Sequence, residues 1–123
     1  MKFSTAINCM DGRVQEQVIQ YLKDKYGTDY VDMITEPGPN RILAEQSASA
    51  LVDSIFARIN ISVEKHGSKQ IAVIGHHDCA GNPVGEEEQK KHTFEAVRIV
   101  REKYPELEVV GLWVGESWNV TEI

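Results

Sequence analysis

Ile71-Ala72-Val73-Ile74 is apolar at every position, and this run constrains the fold more than any other feature of the chain. A strand with one wetted face alternates apolar and polar residues. An unbroken apolar run is instead buried on both faces, the habit of a central strand in a parallel sheet. Parallel neighbours cannot be joined by a hairpin; each pair needs a crossover of roughly a dozen residues or more, usually a helix. The rest of the chain should therefore read as strands alternating with amphipathic helices.

It does. Residues 3–8, with Phe3, Ala6 and Ile7 apolar, predict a buried first strand ending at Cys9. Val14, Val18, Ile19, Leu22 and Tyr26 recur at helical spacing, and Gly27 suits the C-terminal cap of that helix. A second strand is expected over 30–35. Glu36-Pro37-Gly38-Pro39-Asn40 reads as a rigid loop, because each proline removes a donor and fixes φ. A long helix is expected over 42–66, with Leu43, Leu51, Ile55, Ile59 and Val63 in contact positions and a weak stretch at Asn60-Ile61-Ser62-Val63. The central strand, 70–75, runs into His76. A helix over 87–103 is expected to bury Phe94, Val97, Ile99 and Val100. A strand over 107–114, a turn at Gly115-Glu116-Ser117 and an antiparallel edge strand over 118–123 complete the pattern. The order β-α-β-α-β-α-β-β predicts a three-layer α/β fold: an open, mostly parallel sheet with helices on both faces.

At 123 residues the chain fits one domain, spanning 1–123. The net charge of −6, with Glu86, Glu87 and Glu88 consecutive, disfavours nucleic acid and anionic membranes as partners. No apolar run approaches the roughly 20 residues of a membrane helix. Met1 to Asn8 lacks the pattern of a signal peptide, so the expected location is the cytoplasm. In a reducing compartment the two cysteines, Cys9 and Cys79, are expected as free thiols, metal ligands or redox groups rather than a structural disulfide.

Their surroundings favour metal. Open α/β sheets bind ligands beyond the carboxyl ends of their strands, where strand order reverses. Cys9 ends the first strand and His76 the third; if those strands are neighbours, Cys9, His76 and Cys79 converge. Two thiolates and an imidazole suit zinc, and three protein ligands leave a fourth tetrahedral position for water or substrate. A metal there would lower the pKa of bound water to about 7. Asp11 and Arg13, two and four residues past Cys9, would control that position. Held by Arg13, Asp11 can orient the water and take its proton; released, it can occupy the metal itself.

Cys9-x-Asp11-x-Arg13, followed far downstream by a strand and Gly75-His76-x-x-Cys79, resembles the β-class carbonic anhydrase family. The resemblance implies zinc held by Cys9, His76 and Cys79, an Asp11–Arg13 dyad and a sheet ordered 2-1-3-4. It implies a homodimer or higher homo-oligomer, and reversible hydration of carbon dioxide to bicarbonate through zinc-bound hydroxide. Two departures stand out. Thr35 to Arg41 replaces an Arg-Asn-Ala-Gly-Asn-like segment, and Ala80 stands where the family commonly has glycine. They keep open an alternative: a zinc protein of the same kind without that activity, acting on carbon disulfide or carbonyl sulfide, or binding an anion.

Other residues have plainer expectations. His77 should face away from His76, Asp78 should cap its turn, and His92 should be solvated. Glu86-Glu87-Glu88 should start a helix. Trp113 and Trp118 should pack across the final hairpin, and Asn40 or Arg41 is placed where it can reach a bound anion.

Overall fold

Ile71 to Ile74 lie at the centre of a five-stranded sheet and are at most 1% exposed. The computed structural model describes Met1–Ile123. Strand β1 (Phe3–Cys9), β2 (Tyr30–Glu36), β3 (Gln70–His76) and β4 (Glu108–Val114) are parallel, and β5 (Val120–Glu122) runs antiparallel to β4. The order β2-β1-β3-β4-β5 is the expected 2-1-3-4 arrangement with an antiparallel edge strand.

Helices cover both faces. Helix α1 (Glu16–Tyr26) packs Val18 and Leu22 against Ala6, Ala72, Ile74 and Leu112. On the opposite face, α2 (Pro39–Glu45), α3 (Ser49–Asn60) and α4 (Glu86–Lys103) pack Leu43, Ile55, Ile59 and Val97 over Ile7 and Val73. With right-handed crossovers, the chain must change face when it reverses its direction across the sheet, and α1 stands alone for that reason. Gly27 ends α1 in the left-handed conformation at φ 63°, its N–H donating to the Lys23 carbonyl at 2.8 Å. No helix is long and apolar enough to cross a membrane.

Several expectations need correction. The helix expected over 42–66 is two helices and a π-helical turn. Gln46 adopts φ 59° and ends α2, its Nε2 donating to the Leu43 carbonyl, and α3 runs into the π turn Ile61–Lys65. That wider turn buries Ser62, whose hydroxyl meets Thr5 Oγ1 at 2.6 Å and donates to Asp32 at 2.6 Å. Because the helix restarts in a new phase, Val52 is buried and Leu51 exposed. The expected loop is shorter at both ends: Glu36 closes β2, and Pro39 opens α2, where its missing N–H costs nothing. In α4 the buried stripe is Gln89, Thr93, Ala96, Val97 and Val100, while Phe94 is exposed. Apolarity suggested Phe94, but the inward face over Gly75 is taken by polar side chains.

Candidate metal centre

Strands β1 and β3 are paired only over residues 5–7 and 71–73. Past that stretch they part, and there the order reverses: β1 leads to β2 on one side, β3 to β4 on the other. Cys9 and His76 end the two strands, and Cys79 follows in the next turn. Their ligand atoms all lie within 4.8 Å of one another. The three residues are 4%, 1% and 4% exposed. The two sulfurs are 3.9 Å apart. A disulfide would need about 2.05 Å. Two thiolates on a tetrahedral ion with bonds of about 2.3 Å would sit roughly 3.8 Å apart.

His76 completes the set. Its Nδ1 donates to the His77 carbonyl oxygen at 2.7 Å, which leaves the lone pair on Nε2. That nitrogen is buried with no hydrogen-bond partner in the protein. A buried polar atom left this way costs roughly 1–3 kcal/mol. A metal ion accepts the lone pair, and ligating imidazoles are commonly oriented through the other nitrogen in this manner. The residues present therefore fit a metal ion that prefers sulfur and nitrogen.

Charge in the pocket is coupled. A hydrogen bond from Cys79 holds the Cys9 thiol below its ordinary value against burial, helped by His76 and by the backbone N–H groups of Gly38 and Asp11. The same bond, with burial, pushes Cys79 up. Burial pulls His76 down, but Cys9 and the His77 carbonyl outweigh it and the net shift is upward. Thiols bind metal as thiolates, so metal binding at this pair releases protons.

Asp11 and Arg13 form a tight dyad beside this set. The Asp11 carboxylate accepts from the Arg13 backbone N–H at 2.9 Å, from Nε at 3.1 Å and from Nη2 at 2.7 Å. Those bonds lower Asp11 to about 2 and raise Arg13. Gln15 Nε2 donates to the Cys9 and Asp11 carbonyls and fixes the turn between them. A cleft of 480 Å³ opens beside Cys79, walled in part by Arg13, His77, Asp78, Val84 and Trp113.

Sequence reasoning missed what holds the loops. Asp78 is not merely a turn cap: at φ 57°, it pairs with Arg13 Nη1 at 3.2 Å. Trp118 does not pack on Trp113. Its ring lies 4.5 Å from the Arg13 guanidinium carbon and meets His77 edge-on, while Trp113 pairs with Thr121. His77 joins no ligand set; it lines the cleft beside Cys79 and meets Trp118 edge-on. His92 is half-buried and bonded to Asn82 rather than solvated. Asn40 is buried and donates to Gln89 Oε1 and Thr93 Oγ1, and Arg41 pairs with Glu45, so both already have partners.

The polar network formed by Asn40, Gln89 and Thr93 packs on Gly75, where a Cβ would come within 2.6 Å of Thr93 Oγ1. Gly81 abuts the backbone of Pro37, where a Cβ would lie 2.3 Å from the carbonyl carbon. The sequence shows only that a glycine stands at each of these positions.

An α/β sheet with two sulfurs and an imidazole at its switch point defines a candidate metalloprotein. Residues 1–123 match the family model described as "Putative carbonic anhydrase", and the chain belongs to that family. An uncharacterized protein of Rickettsia bellii (strain RML369-C) is 26% identical over 129 residues, covering 95% of this chain and 79% of that protein. A tetrameric beta-carbonic anhydrase from Sordaria macrospora aligns with a TM-score of 0.64 at 16% identity, over 99% of this chain and 80% of that one. The beta-carbonic anhydrase CafD of Aspergillus fumigatus gives 0.66 at 12% identity, over 100% and 90%. The likeness to these structures shows the fold, which is the one the motif resemblance implied.

Proposed function

We propose that the protein is a zinc-dependent carbonic anhydrase, interconverting carbon dioxide and bicarbonate. One observation carries this reading: His76 Nε2 is buried, unpartnered and grouped with two sulfurs that stand 3.9 Å apart. Cys9, His76 and Cys79 would hold the metal, with the His77 carbonyl orienting His76. Zinc bound there supplies Lewis acidity that lowers the pKa of water in the open position toward neutrality.

Paired with Arg13, the Asp11 carboxylate would act as an acceptor toward a donor held in that position. Arg13 keeps it ionised down to about pH 2, so it orients a donor and does not store protons. The proton set free by hydration therefore passes to solvent or buffer. The Asp11–Arg13 pairing favours an open site, and with it catalysis over a locked, anion-binding protein. The tetrameric state of the Sordaria enzymes supports a homodimer or larger assembly.

The test is proton release on rapid mixing of carbon dioxide with zinc-loaded protein. Acceleration over the buffer rate, lost in His76→Ala, is expected. No acceleration at any pH from neutral to alkaline contradicts the proposal.

A further inference from the structure

We infer that Trp118 is a positioning residue for Arg13 and, through it, sets how often the Asp11 carboxylate closes the metal's open position. This rests on the metal reading above. A planar guanidinium offers donors at its edge and a face for stacking. In Arg13 each of the three nitrogens and one face are engaged. Nε and Nη2 serve Asp11, Nη1 serves the Asp78 carboxylate, and Nη2 also reaches the Asp78 carbonyl at 3.1 Å. Trp118 covers the face, its ring centroid 4.5 Å from the guanidinium carbon.

Arg13 nevertheless needs the support. Its side chain is 48% exposed, and ion pairs in such a setting are weak because water competes and the long side chain is free to swing. Two of its three anchors, Asp78 and Trp118, are independent of Asp11. Arg13 can therefore stay in place while Asp11 moves, and Asp11 has a waiting partner to return to.

Trp118 is itself fixed with unusual care. It adopts φ 63°, uncommon for a bulky side chain and kept only where the surroundings over-determine it. Its N–H donates to the Gly115 carbonyl at 2.9 Å, and its carbonyl accepts from Gln17 Nε2 at 3.1 Å. The β4–β5 turn and α1 together thus aim the indole at Arg13. If the indole is lost, Arg13 swings out more often and Asp11 closes the site.

The test uses the full chain loaded with cobalt(II) and thiocyanate as the probe. Thiocyanate is titrated by visible absorption at one fixed pH, in wild type, Trp118→Leu, Trp118→Phe and Arg13→Ala. Trp118→Leu keeps apolar bulk but loses the aromatic face, and it should weaken thiocyanate binding about three- to fivefold. Trp118→Phe should restore it, Arg13→Ala should weaken it further, and cobalt affinity should be the same in Trp118→Leu and Trp118→Phe. A wild-type constant in Trp118→Leu, or equal weakening in the Leu and Phe variants, overturns the inference alone. If wild-type cobalt protein binds no thiocyanate, or Arg13→Ala leaves the constant unmoved, the open-position reading falls and the inference with it.

Discussion

Arg13 Nη1 lies 3.2 Å from Asp78 Oδ2, so one guanidinium ties together two motifs that are 65 residues apart. Asp78 does this from a left-handed backbone at φ 57°, one residue before Cys79. Asparagine tolerates that conformation and a β-branched residue does not. Asp78→Asn should keep zinc affinity close to wild type. Asp78→Val should lower it about tenfold or more, since forcing a disfavoured backbone costs roughly 1–3 kcal/mol. Competition with a chromogenic chelator measures both.

The ligands should be separable from the dyad. Cys9→Ser, His76→Ala and Cys79→Ser should each reduce bound zinc from about one per chain to well below half, because a tetrahedral site cannot spare a soft ligand. Arg13→Ala should retain the metal yet slow carbon dioxide hydration. Metal analysis of purified protein, paired with proton-release kinetics, checks this.

Acid should act on Asp11. Its carboxyl sits at about 2 in the fold against an ordinary 3.8, because Arg13 donates to the ionised form. The folded value lies below the unfolded one. The stability that Asp11 contributes is therefore full above about pH 4 and is lost as pH falls toward 2. Asp11→Asn should flatten the difference between denaturant midpoints measured at those two pH values. An unchanged slope would show that the pair does not form.

Two glycines should differ in their tolerance of a methyl group. At Gly75 a Cβ meets the ends of the Thr93, Gln89 and Asn40 side chains, which can shift, so Gly75→Ala should cost about 1–3 kcal/mol of stability. At Gly81 it meets Pro37 backbone, which cannot. Gly81→Ala should lower the melting temperature further and weaken zinc binding, because the loop carrying Cys79 must move away from β2. Thermal melts with and without zinc make the comparison.

What was legible in the sequence, and what was not, follows from the range of the interactions. The apolar run 71–74 determined a central strand, and from it the parallel sheet and the convergence of Cys9 with His76 could be reasoned. Periodicity failed at Gln46 and Phe94. The break after α2 has no glycine or proline to announce it, and the inward stripe of α4 begins with polar Gln89 and Thr93 because these face Asn40 and Gly75 across the fold. Arg13's dealings with Asp78 and Trp118 were likewise hidden, since they join residues from three distant segments through geometry that no local pattern encodes.

Zinc K-edge X-ray absorption on the zinc-loaded protein tests the central claim most directly. A first shell of two sulfurs at about 2.3 Å, one imidazole nitrogen at about 2.0 Å and one further light atom is the expected result. A shell without sulfur, or a protein that takes up no zinc after full reduction of both cysteines, would contradict the account.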